Sequence, residues 1–202
     1  GPSVSVLLPF HNAAETIADC VESILAQTLT GFEVIAVNDC SDDASVSVLQ
    51  QYNDERLKII DNSHRGLVSA LNTGLAHCAA PLVARMDADD VMHRHRLEKQ
   101  YQYLRRHHDV VLLATQARKF PQVSIRNGYR EYMRWQNSVL GADDVNNQIY
   151  IESPFAHPSV MFRRDSVIAA GAYRQGAFPE DYELWLRLSH AGYRMQKLPE
   201  VL

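Results

Sequence analysis

The sequence predicts an α/β domain whose core is a mostly parallel sheet with helices on both faces. Three observations predict it. Short apolar runs alternate with amphipathic helical stripes through the first half of the chain. The connections between them are short, as strand–helix–strand units require. Polar segments, two of them carrying carboxylates, follow the strands, where open sheets of this kind bind ligands.

Taken in order, Val4 to Leu8 reads as a buried strand ended by Pro9. Ala14 to Gln27 carries Ile17, Val21, Ile24 and Leu25 on one stripe, which is helical spacing. Glu33 to Val37 is a second strand. The turn "NDCSDD" then leads into a helix through Val46 and Leu49, with Ser41 or Asp42 placed to cap it. Leu57 to Ile60 is a third strand, followed by a helix from about Gly66 to Cys78 with Leu67, Ala70, Leu71 and Leu75 inward. Leu82 to Arg85 is the fourth strand, Arg94 to His107 a helix, and Val110 to Ala114 the fifth strand. The crossovers should be right-handed. From Thr115 the alternation stops, and Lys119 to Gln148 has no clean period, so loops with one or two helices are expected there. Order returns with a strand over Val160 to Arg163 and a helix over Asp165 to Ala170, ended by Gly171. "PEDYELWLRLSHAGY" is a helix with Tyr182, Leu184, Trp185 and Leu188 on one stripe, started by Pro179 and capped by Gly192. The chain stops at Leu202 after another apolar segment, which points to a truncated C-terminus.

Composition bounds the function. A chain of 202 residues, 46% hydrophobic and 22% charged, suits one large globular domain. A net charge of −4 with mixed signs does not suggest a nucleic-acid partner. No run of about 18 apolar residues encodes a membrane span, and no signal segment opens the chain. Gly1-Pro2 looks like a protease-cleavage remnant and is set aside. Cys20, Cys40 and Cys78 are odd in number and lack a CxxC pair, which argues against a disulfide scaffold or zinc site and for a reducing compartment.

The stretch "VARMDADDVMHRHRL" places Asp87, Asp89 and Asp90 just past a strand. Two unit charges about 4 Å apart repel by roughly 4 kcal/mol at an effective dielectric near 20. Water, a neighbouring base or a divalent cation must offset that. Hard oxygen donors suit Mg²⁺ or Mn²⁺, whereas the Ca²⁺ loop pattern fails for want of a Gly at its sixth place. On the motif alone a solvated acidic turn is an equal reading. Asp39 follows another strand, where its carboxylate either accepts hydrogen bonds from a base or ribose or caps the next helix. Glu180 and Asp181 open the last long helix, where the macrodipole favours them and where one of them could serve as a general base. His64 and Arg65 precede a helix start and are either phosphate contacts or a surface pair. His157 reads best as a histidine packed beside Pro154 and Phe155, and His93, His95, His107 and His108 as a solvated face.

Together these segments resemble glycosyltransferase family 2, enzymes of the GT-A fold. The resemblance runs in order from "VSVLLPFHN" through "FEVIAVNDCSDD", "RGLVSALNTGL", "ARMDADDVMHRHRLEKQ" and "HPSVMFRRD" to "FPEDYELWLRLSHAGYRMQKLPEVL". It implies a single GT-A domain with a nucleotide-sugar-binding half over residues 3–114 and an acceptor-binding half over 115–202. Pro9, Phe10 and Asn12 would line the nucleotide pocket, with Arg65 beside it. Asp39 would bind the base, usually uracil in such enzymes. Asp87-Ala88-Asp89 would be the family's Asp-x-Asp element, with Asp89 the closest ligand of Mn²⁺ or Mg²⁺ and Asp87 facing the ribose and metal-bound water. Glu180 and Asp181 match the acidic pair before the acceptor helix, Asp181 being the expected base. Cys40 stands where a Gly is common, which predicts a different local turn.

The implied activity is metal-dependent, inverting transfer of a hexose-type residue from a nucleoside-diphosphate sugar to a hydroxyl of a glycan or lipid-linked acceptor, in polysaccharide biosynthesis. The cytoplasm is the expected location, with peripheral association at the inner face of a membrane compatible with it. Two rivals stand beside it. A nucleotidyltransferase making sugar nucleotides would need a Gly-rich basic loop after the first strand, and "PFHNAAETI" has neither glycine nor base. The other is a nucleotide-sugar-binding module that has lost catalysis.

Overall fold

A computed structural model gives the architecture and describes residues 1–120 and 127–202. The strands are β1 (Val4–Phe10), β2 (Phe32–Asn38), β3 (Leu57–Asp61), β4 (Leu82–Arg85), β5 (Val110–Gln116), β6 (Met161–Arg163) and β7 (Arg194–Val201). The helices are α1 (Ile17–Leu25), α2 (Ser45–Leu49), α3 (Leu67–His77), α4 (Arg96–Arg106), α5 (Asn127–Ser138), α6 (Ala142–Gln148), α7 (Arg164–Ala169) and α8 (Glu180–His190). The strands form one sheet in the order β3-β2-β1-β4-β6-β5-β7. Only β6 runs against the others, antiparallel to both β4 and β5. This is the mixed α/β sheet of the GT-A fold.

The period of two along β1 explains the two-sided core. Leu7 faces a cluster that includes Leu71 and Leu75 of α3 and Leu184, Trp185 and Leu188 of α8. Val4, Val6 and Leu8 face the opposite cluster, with Ile17, Val21 and Ile24 of α1 and Leu97 and Leu104 of α4. A strand buried on both faces must be apolar throughout, and β1 is buried along its whole length. Gly74 lets α3 lie close on the sheet, because a side chain there would collide with Leu7 and Val37.

Several expectations need correction. β1 does not end at Pro9 but runs through it to Phe10. Leu7 O accepts from Met86 N on the β4 side and Phe10 O accepts from Asp39 N on the β2 side. Pro9 therefore turns its missing N–H toward β4, whose pairing with β1 has ended at Leu7 and Arg85. Neither Ser41 nor Asp42 caps α2. The N-cap is Ala44, which has no side-chain cap; Asp43, one residue earlier, accepts from Ser45 N through Oδ1 at 2.9 Å, while Ser41 Oγ accepts from Asn12 N at 3.0 Å. The first helix is shorter than its stripe, and the last apolar segment is an edge strand, β7, paired with β5. Of the aperiodic stretch from Lys119 to Gln148, α5 and α6 supply the expected helices, and residues 121–126 lie outside the described residues.

Candidate functional site

The carboxyl ends of β1, β2 and β3 gather one group of predicted residues. Asp39 is almost fully buried, and its Oδ1 accepts from Asn62 Nδ2 at 2.9 Å and from Gly66 N at 2.8 Å. It therefore does not cap α2, the helix that follows it, but meets the backbone at the start of α3. His11 Nδ1 lies 2.8 Å from the Asp39 carbonyl, which only accepts, so Nδ1 carries the proton. His11 Nε2 is then the acceptor for Arg65 Nη2 at 3.1 Å. Asn12 adopts a left-handed φ of 49° and exchanges two side-chain bonds with Asp42, at 2.6 and 2.9 Å. Pro9 and Phe10 are buried in the strand. Phe10 packs its ring on the α1 side and offers its carbonyl to Asp39. Cys40 adopts φ 57°, so the turn keeps the left-handed form that a glycine would take without strain.

The end of β4 gathers the second group. Asp87, Asp89 and Asp90 each offer a carboxylate oxygen, and the three atoms lie within 4.8 Å of one another. The sequence reading assigned Asp87 and Asp89 and left Asp90 without a role, and the structure adds it as a third donor. Burial first, then the charges of Asp87 and Asp89, push the Asp90 carboxyl up to about 6. Arg85, wholly buried, donates Nη2 to Asp87 Oδ1 at 2.6 Å. Behind it Arg96 holds Arg85 O at 3.0 Å and Val160 O at 3.2 Å, which anchors the turn to β6. Ala88 is half-buried against the α1 side. Three crowded hard oxygens suit a Mg²⁺- or Mn²⁺-type ion. Among the described residues this is the one cluster of His, Cys, Asp or Glu of that kind, and the histidines around α4 do not form another.

A cavity of about 970 Å³ lies against the acidic cluster, with Asp181 and Tyr182 of α8, Tyr132 of α5 and His157 also on its walls. Burial raises the Asp181 carboxyl above the usual range, opposed by the hydrogen bond from Tyr182 N at 2.8 Å. Glu180 is not among these lining residues. It stands 3.8 Å from His157 Nδ1 and lines a neighbouring hollow with Arg65 and Arg174. His157 is buried, meets Tyr173 Oη at 3.1 Å and sets its ring edge-on to Trp185. Burial holds it well below 6.5, so it is neutral. It is thus a packed histidine, as expected, that also shows one edge to the cavity.

The sequence gives Arg85 and Tyr132 no role in the site, marks Asn62 only as the first residue of the polar segment after the third strand, and marks Tyr182 only as part of a helical stripe. For Asn62 a signal existed: Ser69 and Thr73 stand one turn apart on α3, ready to face a polar group at the end of β3. A buried arginine two residues before an Asp-x-Asp pair was a comparable cue.

The family model described as Glycosyl transferase family 2 matches residues 5–171. Amylovoran biosynthesis glycosyltransferase AmsE of Erwinia amylovora is 35% identical over 203 residues, covering 98% of this chain and 74% of AmsE. Among solved structures, S. aureus TarS 1-349 in complex with UDP-GlcNAc superposes with a TM-score of 0.77 at 20% identity, covering 98% of this chain and 56% of that one. Mannosyltransferase PcManGT from Pyrobaculum calidifontis, in complex with GDP-Man and Mn²⁺, gives a TM-score of 0.79 at 22% identity, covering 99% of this chain and 55% of that one. The chain spans little more than half the length of these two structures, with which it shares the fold.

Proposed function

The chain belongs to glycosyltransferase family 2, and from that premise we propose that it transfers a sugar, with inversion, from a nucleoside-diphosphate sugar to a hydroxyl of a glycan or lipid-linked acceptor. One observation carries the reading. Asp181 lines the same cavity of about 970 Å³ as Asp87, Asp89 and Asp90, which sets a carboxylate base in reach of the space that faces an acidic metal-type cluster. The ligands named for TarS and PcManGT, UDP-GlcNAc and GDP-Man with Mn²⁺, support the donor class and the ion.

In this reading residues 3–114 hold the donor and 115–202 shape the acceptor side. Asp39 accepts a hydrogen bond from the base, and the exposed Asn12 and Arg65 flank the nucleotide, with Pro9 and Phe10 buried in the strand beneath as its support. Asp89 and Asp87 would hold Mn²⁺ or Mg²⁺, with Asp90 beside them, and a bound ion would supply neutralisation of the charge on the leaving diphosphate. Asp181 takes the proton of the acceptor hydroxyl as its oxygen bonds to the anomeric carbon and the bond to diphosphate breaks. Attack from the face opposite the leaving group inverts that carbon. The raised Asp181 carboxyl makes it a better proton acceptor than an ordinary Asp, while Glu180, beside His157, shapes the wall behind it. Among the described residues no helix is long and apolar enough to cross a membrane.

The test is release of nucleoside diphosphate from a panel of sugar nucleotides, in Mn²⁺ and in chelator. Release that is stimulated by acceptor and lost in chelator is expected. Pyrophosphate release from a nucleoside triphosphate and a sugar phosphate would replace this reading with the nucleotidyltransferase one. Donor binding without turnover, in a chain of the relatives' full length, would replace it with a binding module.

A further inference from the structure

We infer that Asn62 is a positioning residue that dictates which oxygen of Asp39 is offered to the nucleotide base, and thereby makes the site select bases that carry a ring N–H. The inference rests on the reading of Asp39 as the base contact and deepens it.

Asn62 is only 5% exposed. Every hydrogen-bonding capacity of its amide is used. Nδ2 donates to Asp39 Oδ1 at 2.9 Å and to His64 O at 2.5 Å, while Oδ1 accepts from Ser69 Oγ at 3.0 Å and Thr73 Oγ1 at 3.1 Å. A carbonyl and a carboxylate on one side leave no doubt which end of the amide is nitrogen. The two hydroxyls, one turn apart on α3, hold it from behind. Gly66 N adds a second donor to the same Asp39 oxygen at 2.8 Å, from a backbone φ of 137° that a side chain would strain. Asp39 Oδ1 is therefore occupied by two N–H groups. Asp39 Oδ2 has no hydrogen-bond partner among the described residues.

An ionised carboxylate offers only lone pairs, and the two N–H groups on Oδ1 fix Oδ2 as the oxygen left to offer them and hold its direction. Uracil N3–H and guanine N1–H match it. Cytosine and adenine place an unprotonated ring nitrogen at the corresponding position and set lone pair against lone pair. Sites built to pair with a polar hydrogen reject analogues lacking it, because their own buried group is left unsatisfied. A merely structural Asn62, tying β3 to α3, would affect stability without touching this discrimination.

The experiment is titration calorimetry with UDP against CDP and GDP against ADP, in Mn²⁺, on the whole chain. The unaltered protein should prefer the ring-N–H member of at least one pair by about tenfold or more. Asn62→Leu should bring that ratio to within about threefold while leaving Mn²⁺ binding without nucleotide unchanged. The double variant Ser69→Ala, Thr73→Val, which keeps Asn62 but frees its amide, should move the ratio the same way and decides the matter should the leucine variant not fold. A ratio unchanged in these variants overturns the role of Asn62. Absence of any preference in the unaltered protein, or a preference that survives Asp39→Asn, overturns the base-contact reading itself.

Discussion

Arg85 Nη2 lies 2.6 Å from Asp87 Oδ1, a guanidinium 1% exposed against a carboxylate 37% exposed. Asp87 thus meets the cavity with its charge partly spent, whereas no hydrogen bond or ion pair restrains the exposed Asp89 among the described residues. The two acids of one motif should therefore fail differently. Asp89→Asn should reduce UDP affinity in Mn²⁺ to its level in chelator with little change in melting temperature. Asp87→Asn should also destabilise the fold, by about 1 kcal/mol once solvent screening of the exposed partner is allowed for, because it strands a buried cation. Calorimetry and thermal melting read the two effects separately. UDP affinity in Mn²⁺ that is unchanged in Asp89→Asn would remove it as a ligand.

Asp181 and Glu180 are neighbours in sequence but face different surroundings, and kinetics should separate them. Asp181→Asn is expected to leave donor binding intact and slow transfer by at least about a hundredfold, the usual cost of a lost general base. Glu180→Gln should cost less than about tenfold, since Glu180 does not line the cavity of the acidic cluster. Burial raises the Asp181 carboxyl, and a base works only unprotonated. The acid limb of kcat/KM should accordingly lie above the ordinary Asp range near 3.9, with activity falling as pH drops through it. A limb at or below that value, or a reversed ranking of the two variants, would move the base elsewhere.

Much of residues 3–114 was legible because it is local. β1 to β5 are short apolar runs whose positions follow from periodicity, and the segments after them hold Asp39 and the acidic trio. What escaped was non-local. That β6 runs antiparallel is a matter of its pairing with β4 and β5, between segments far apart in the chain. β7 was hidden because an edge strand exposed on alternate residues, and containing Pro199, has too little apolar signal. Pro9 misled for a physical reason: a proline stops a strand only where its N–H is needed, and β4 has already left. In the site, residue types were readable, but the separation of Asp181 from Glu180 depends on how α8 is rotated against the sheet.

Cys40 offers a stability test. It holds φ 57° without being glycine, in an exposed turn where its thiol makes one weak 3.8 Å contact to Asn62 O. A left-handed conformation costs a side-chain-bearing residue about 1–2 kcal/mol, and glycine's greater unfolded-state entropy returns part of the gain. Cys40→Gly should stabilise the chain by about 0.5–1 kcal/mol in urea unfolding, with UDP affinity unchanged. Destabilisation would mean that the thiol contact outweighs the backbone strain.

Lys197 is the buried cation of β7. Its Nζ donates to Gln136 O and, at 2.6 Å, to Pro154 O, so it ties α5 and the loop before β6 to the edge of the sheet. Burial lowers this ammonium from 10.5 to about 8. The sign of the effect on stability follows. Below pH 8 folded and unfolded chains both carry the proton, and nothing changes with pH. Between about 8 and 10.5 the folded chain has released it and the unfolded chain has not, so stability rises with pH, by on the order of 1–3 kcal/mol across that window. Tyrosine ionisation acts against this near the top of the window, but it is common to the protein and to Lys197→Met. The difference in unfolding free energy between those two should therefore be flat from pH 6 to 7.5 and shift in favour of the lysine protein from pH 8 to 10. A difference that stays flat throughout would show that the two carbonyl bonds fully offset the loss of water around the ammonium.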